Sequence, residues 1–152
     1  SGFANAVAGG WQVQGIYSYQ MGQPLGWGNV IFFGDIKNIP LSRGERTVER
    51  WINTGAGFER DTRRALSFNV RTWPNRFSGI RGPGMNNWDL SVLKNTKIGE
   101  RYNVQIRGEF LNAWNHPMFS GPNMDPYNTA FGQITTTRGY QRRVQLGGKL
   151  IF

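Results

Sequence analysis

Arg142-Arg143-Val144-Gln145-Leu146-Gly147-Gly148-Lys149-Leu150-Ile151-Phe152 is the stretch whose reading decides the fold. It alternates with period two. Val144, Leu146, Gly148, Leu150 and Phe152 fall on one face, and Arg143, Gln145, Gly147 and Lys149 on the other. Ile151 is the one apolar residue among the polar set. Successive side chains of a strand point to opposite sides, so this is a strand with one apolar and one wet face. An aromatic residue closes it with no polar tail behind. A free terminus in water usually frays.

An aromatic-ended amphipathic strand fits a barrel of the bacterial outer membrane, where rings of aromatics flank the apolar band. A strand in a half-buried soluble sheet shows the same alternation. The spacing also resembles the C-terminal assembly signal of such barrels: a polar residue, Gly two later, then apolar residues five and seven later. Gln145, Gly147, Leu150 and Phe152 occupy those positions.

Composition points the same way. Only 38% of the 152 residues are hydrophobic, yet 14% are aromatic and 21 are Gly. Strands of a barrel need only half their residues apolar, whereas a packed globule usually needs more. No apolar run approaches the 18 residues of a membrane helix, which has no bearing on a barrel. With no Cys, disulfides and thiolate chemistry are excluded. The chain starts at Ser1 with neither Met nor leader, so a removed leader or a longer parent protein is expected.

The formal charge is +9. Ten of the eighteen Lys and Arg lie between Gly22 and Met85, with five acids among them. Such a balance fits a polyanion surface. The basic residues are dispersed and no nucleic-acid motif accompanies them. Solvated loops with Arg paired to local acids are therefore the preferred reading, and nucleic acid is not an expected partner.

Four strands are predicted, over residues 10–21, 87–98, 102–114 and 142–152. In the first, Trp11, Val13, Tyr17, Tyr19 and Met21 share a face, with Gln12, Gln14, Ser18 and Gln20 opposite. Eleven residues at about 3.3 Å each, tilted by about 45°, span roughly 25 Å, the height of an outer-membrane apolar band. In the second, Trp88, Leu90, Val92 and Ile98 oppose Asp89, Ser91, Asn95 and Lys97. In the third, Tyr102, Val104, Ile106 and Phe110 oppose Asn103, Gln105, Arg107 and Glu109. A three-residue turn at Gly99-Glu100-Arg101, pairing Ile98 with Tyr102, keeps the two apolar faces together.

The stretches 22–85 and 115–141 are rich in Gly, Pro and Asn and weak in periodicity. They read as long loops. Short pairing segments are expected over Asn29–Phe33 and Phe131–Thr135, and one or two helical turns over Arg46–Thr54. A soluble domain seldom carries a connection of this length, but outer loops of a barrel do. The single His, His116, reads as a turn residue at a strand end. Asp89 and Glu109 read as members of a charge ladder with Arg107 and Lys97. No metal, cofactor or catalytic constellation emerges, so no enzymatic activity is expected.

Several stretches, in order and spacing, resemble TonB-dependent outer-membrane receptors with Oar-like barrels. They are Gly82–Ser91, Arg107–Pro117, Phe131–Thr135 and Gln145–Phe152, preceded by Arg46–Thr54. The resemblance implies an all-β fold of antiparallel amphipathic strands in a transmembrane barrel, with long extracellular loops. It implies a non-catalytic transporter wall in the outer membrane, in contact with lipid; the Arg residues of the stretch Gly22–Met85 are expected to hold lipopolysaccharide phosphates through charge-assisted contacts. The remainder of the barrel, its plug and TonB would be partners. On this reading Trp11, Val13, Tyr17, Tyr19, Trp88, Leu90, Val92, Val104, Ile106, Phe110 and Leu146 face lipid. Gln14, Asp89, Arg107, Glu109 and Lys149 face the lumen. Four strands cannot close a barrel, so this is expected to be part of a larger wall. Two alternatives remain at this stage: a fragment that self-assembles through its open edges into a barrel, tube or fibre, and a soluble basic β-domain binding polyanions.

Overall fold

A computed structural model describes residues 7–65 and 77–152. Residues 1–6, and residues 66–76 of the first long loop, lie outside the described residues. The described chain divides into two compact units. One holds residues 7–19, 86–117 and 139–152; the other holds 20–65, 77–85 and 118–138.

The strands in chain order are β1 (Trp11–Gln20), β2 (Pro24–Leu25), β3 (Phe77–Arg81), β4 (Met85–Ile98), β5 (Tyr102–Leu111) and β6 (Arg143–Ile151). Four of them form one sheet in the order β1-β4-β5-β6. The sheet is antiparallel and open, with β1 and β6 at its edges. Its register is set at the turn. Gly99 adopts φ 63°, and Ile98 pairs directly with Tyr102. From there even residues oppose even residues along β4 and β5, as far as Leu90 with Phe110. β6 continues the pattern, with Val104 opposite Leu150, Gly108 opposite Leu146 and Phe110 opposite Val144. On the other side the Asn95 amide donates to the Gly10 carbonyl at 2.9 Å. Tyr17 stacks on Trp88 with ring centroids 4.7 Å apart. Numbers rising on β1 meet numbers falling on β4, so this pair is antiparallel as well.

Two boundaries differ from the sequence expectation by more than one residue. β4 begins at Met85, and β5 stops at Leu111, three residues early. The stop is local chemistry. Asn112 takes φ 51° and Asn115 φ 53°, the left-handed region that Asn tolerates best among residues with a side chain. Asn112 is 2% exposed. Its side-chain Nδ2 donates to the carbonyls of His116 (3.0 Å) and Tyr140 (3.1 Å), and its Oδ1 accepts from the His116 amide (2.9 Å). The Asn112 amide donates to Asp89 Oδ1 at 2.8 Å. One buried residue thus fastens the end of β5 to β4 and to the segment leading into β6.

The second unit carries the hydrophobic core. Trp27, Val30, Ile39, Ile52, Phe58, Ile80 and Phe131 are buried together, with Ile39 fully enclosed. Phe58 is its aromatic centre, with centroids 5.3 Å from Trp27, 4.8 Å from Phe32 and 5.0 Å from Phe131. Each such contact adds about 0.5–1.5 kcal/mol beyond area burial. The expected helical turns over Arg46–Thr54 do not form. Thr47 and Arg50 instead exchange backbone hydrogen bonds, and Ile52 forms a bridge with Pro40. The reason is tertiary: the Val48 carbonyl accepts from the Ile134 amide and the Trp51 amide donates to the Gly132 carbonyl, bonds that an internal helix would use up. Asn29–Phe33 and Phe131–Thr135 contribute only the isolated bridges Phe32 with Phe58 and Phe131 with Asn123. Gly132 has φ 78°, and a Cβ there would lie 2.6 Å from Thr54 Cγ2, so the close approach of the two loops at this position requires glycine.

Ion pairs at the rim of this unit are local. Glu59 is held below the ordinary glutamate range by the Asp61 amide and then by Arg64. Asp61 is lowered by Arg63, and Glu45 by the Ser42 hydroxyl and amide. Carboxylates with lowered folded-state pKa stabilise the fold at neutral pH, and that stabilisation is lost as pH falls through their folded values. Acidification from pH 5 to pH 3 should therefore loosen this unit, read as a change in tryptophan fluorescence. Glu59→Gln with Asp61→Asn should flatten that response; an unchanged profile would remove these ion pairs from its stability.

A second expectation concerns Asn112. Asn112→Ala should cost about 2–4 kcal/mol, by orphaning buried carbonyls and straining a left-handed backbone. Asn112→Gly should recover only the backbone part. Urea unfolding of the barrel protein in lipid compares the three.

Candidate functional site

The candidate site is the two-faced sheet itself. Residues directly opposite in an antiparallel pair share a face. One face therefore carries Trp88, Leu90 and Val92 of β4, then Tyr102, Val104, Ile106 and Phe110 of β5, then Val144, Leu146 and Leu150 of β6. On β1 the Tyr17–Trp88 stack puts Trp11, Val13, Tyr17 and Tyr19 on that same face. Most of these side chains are exposed, Leu146 to 78% and Phe152 to 92%. Contiguous exposed apolar area on this scale marks a surface that meets something other than water. Gly15 and Gly108 lie on this face under larger neighbours, Leu90 over the first and Phe110 with Leu146 over the second.

The other face carries Gln14, Asp89, Ser91, Asn95, Lys97, Asn103, Gln105, Arg107, Glu109, Gln145, Gly147 and Lys149. Arg107 pairs with Glu109 at 3.4 Å, both half exposed, and such a pair contributes about 1 kcal/mol at most. Asp89 does not join a charge ladder with Arg107 and Lys97. Its carboxylate is occupied by the Asn112 amide and by Asn87 Nδ2 at 3.0 Å, so its role is to hold the strand end. Gly147 sits opposite Arg107 without a side chain, which leaves an open groove of about 180 Å³ lined by Gln105, Arg107, Gly147, Gly148 and Lys149.

The sequence reading missed Lys94 on the apolar face. Lys94 pairs with Ile106. Its ammonium lies 5.1 Å over the Trp11 ring and donates to the carbonyls of Val7 (3.0 Å) and Gly9. Folding back on backbone oxygens and an indole is how a lysine stem lies on apolar surface with its charge satisfied. Its backbone partners, 87 and 85 residues away in the chain, were not readable from period two. The polar face in turn holds Leu93, Leu111 and Ile151. His116 takes part in the Asn112 cluster through its backbone.

The arginines of the second unit are mostly spoken for. Arg46 donates to the Leu41 carbonyl and stacks over Trp51. Arg60 lies over Phe131, Arg81 donates to the Gly22 carbonyl, and Arg63 and Arg64 pair with Asp61 and Glu59. They act as staples of the loop fold.

The sequence pattern of the outer membrane beta barrel domain family matches residues 1–145. Neither the curated proteins nor the solved structures give a match. An open antiparallel sheet with one apolar and one polar face is what a piece of such a wall must be, because backbone groups pair between strands and lipid takes the outward side chains. The chain belongs to the outer membrane beta barrel domain family, as a stretch of barrel in the outer membrane.

Proposed function

We propose that the chain is the C-terminal wall segment of a TonB-dependent receptor, a non-catalytic part of a ligand importer. The observation that carries this reading is β6. It pairs with β5 in the register that puts Leu150 on the apolar face and Gln145 and Gly147 on the polar one, with Phe152 projecting beyond the pairing. That is the arrangement an assembly signal needs, with two apolar anchors for the membrane side and a small residue where the strand is handled. The motifs shared with the Oar-like receptors support the finer assignment. The short Gly99 turn then lies on the periplasmic side and the long segments outside. The partners are the remainder of the barrel and its plug, TonB acting through the rest of the protein, and the lipid and lipopolysaccharide around the wall.

The apolar face meets lipid in this reading. Lys94 lies opposite Ile106, so the deepest apolar row is farther from the turn, at Val13, Val92 and Leu146. Val92→Arg should cost about 2–4 kcal/mol in lipid, while Ser91→Arg on the polar face should cost far less. Unfolding in vesicles measures both, and equal costs would refute the assignment of faces.

The terminus gives a second test. Phe152→Asp in the full receptor should lower outer-membrane yield well below that of Ile151→Asp, because Ile151 pairs with Asn103 on the polar side. Equal yields would leave Phe152 an ordinary strand residue. Import that persists in cells lacking TonB would remove the receptor assignment while leaving the barrel intact.

A further inference from the structure

The end of the sheet away from the Gly99 turn carries a cation that the loop staples do not account for. Arg142 stands one residue before β6. By alternation it continues the line Leu146, Val144 at the rim of the apolar face. Its backbone is fixed: the Arg142 amide donates to Asn115 Oδ1 at 3.1 Å, and Asn115 is itself set by its left-handed φ of 53°. Among the described residues no carboxylate lies within ion-pair distance of Arg142. Its neighbour Arg143 goes the other way. Arg143 pairs across from Leu111 in the polar register, and its guanidinium lies 5.1 Å over the Tyr140 ring. Around the same end, Trp114 is 62% exposed, and Trp88 and Tyr17 stack on the apolar face.

We infer that Arg142 binds the phosphate of an outer-leaflet lipopolysaccharide molecule whose acyl chains lie along Val144 and Leu146. Each part of such a lipid meets matching chemistry. The apolar strand face takes the chains, the aromatics sit at the depth of the headgroup boundary, and a guanidinium without an acidic partner offers a planar fork to phosphate oxygens. Arg46, Arg60, Arg63, Arg64 and Arg81 are poorer candidates, since their forks already serve carbonyls, rings and carboxylates. The inference rests on the membrane reading above, which places this end of the sheet in the outer leaflet.

The test compares adjacent residues of equal charge on opposite faces. Full-length barrel protein carrying Arg142→Gln, Arg143→Gln or Arg142→Lys is extracted from outer membranes in mild detergent. Lipopolysaccharide phosphate retained per protein is then measured, with outer-membrane yield read separately. Arg142→Gln should retain roughly tenfold less, the scale of one lost charge-assisted contact. Arg143→Gln should stay near wild type, and Arg142→Lys, which keeps the charge but not the planar fork, should fall between wild type and Arg142→Gln. Equal retention in Arg142→Gln and wild type overturns the proposal, as does an equal fall in both Gln variants. An Arg142→Lys loss as deep as that of Arg142→Gln overturns it too, by pointing to damaged structure. Wild-type protein absent from the outer membrane would instead sink the membrane reading, and this inference with it.

Discussion

Everything on the sheet depends on a three-residue turn. Gly99 at positive φ lets Ile98 meet Tyr102, which makes even residues face even residues across β4 and β5. A turn one residue shorter would oppose odd to even. Every apolar side chain of β5 would then lie among the polar residues of β4, because the strand period is two. β6 inherits the same parity from β5, and the Tyr17–Trp88 stack brings β1 into line. The apolar surface is therefore one surface, spread over a hairpin and two strands distant from it in sequence.

That surface has a consequence for where a core can form. A wall one strand thick has no interior of its own, and its apolar residues lie on an open face. The buried hydrophobic cluster accordingly lies in the other unit, among residues from both long loops. Those loops are irregular in secondary structure yet ordered in packing. Phe131 enters a core otherwise made by the first loop, and the Gly132 and Ile134 backbones bond to Trp51 and Val48. Two stretches that resemble receptor motifs in sequence, Arg46–Thr54 and Phe131–Thr135, turn out to be each other's partners.

The polar chemistry is chiefly structural. Asp89, Asn87 and Asn112 form a buried hydrogen-bonded cluster that ends β5 and steers the chain toward β6. Hydrogen bonds of this kind stabilise modestly when made and cost more when left half made. The cluster explains why a carboxylate on the polar face lacks a cationic partner, and why Asn occupies the left-handed positions of the Leu111–Pro117 turn.

The sequence by itself determined the strands and their faces, because alternation and a glycine turn are local signals. Trp11 to Gln20, Trp88 to Ile98, Tyr102 to Leu111 and Val144 to Leu150 could all be read from period two. The polarity of each face and the antiparallel order followed. What only the tertiary structure decided were contacts between positions distant in the chain. Lys94 had been assigned to neither face, and the Val7 and Gly9 carbonyls and the Trp11 ring that satisfy it were not readable. Asp89 looked like one rung of a ladder until the Asn112 amide, 23 residues on, occupied it. The loops showed no period, since a core assembled from single residues at irregular spacing leaves no periodic trace. Their fold exists only in the meeting of Phe58, Trp27 and Phe131, which pattern within a window of sequence cannot encode.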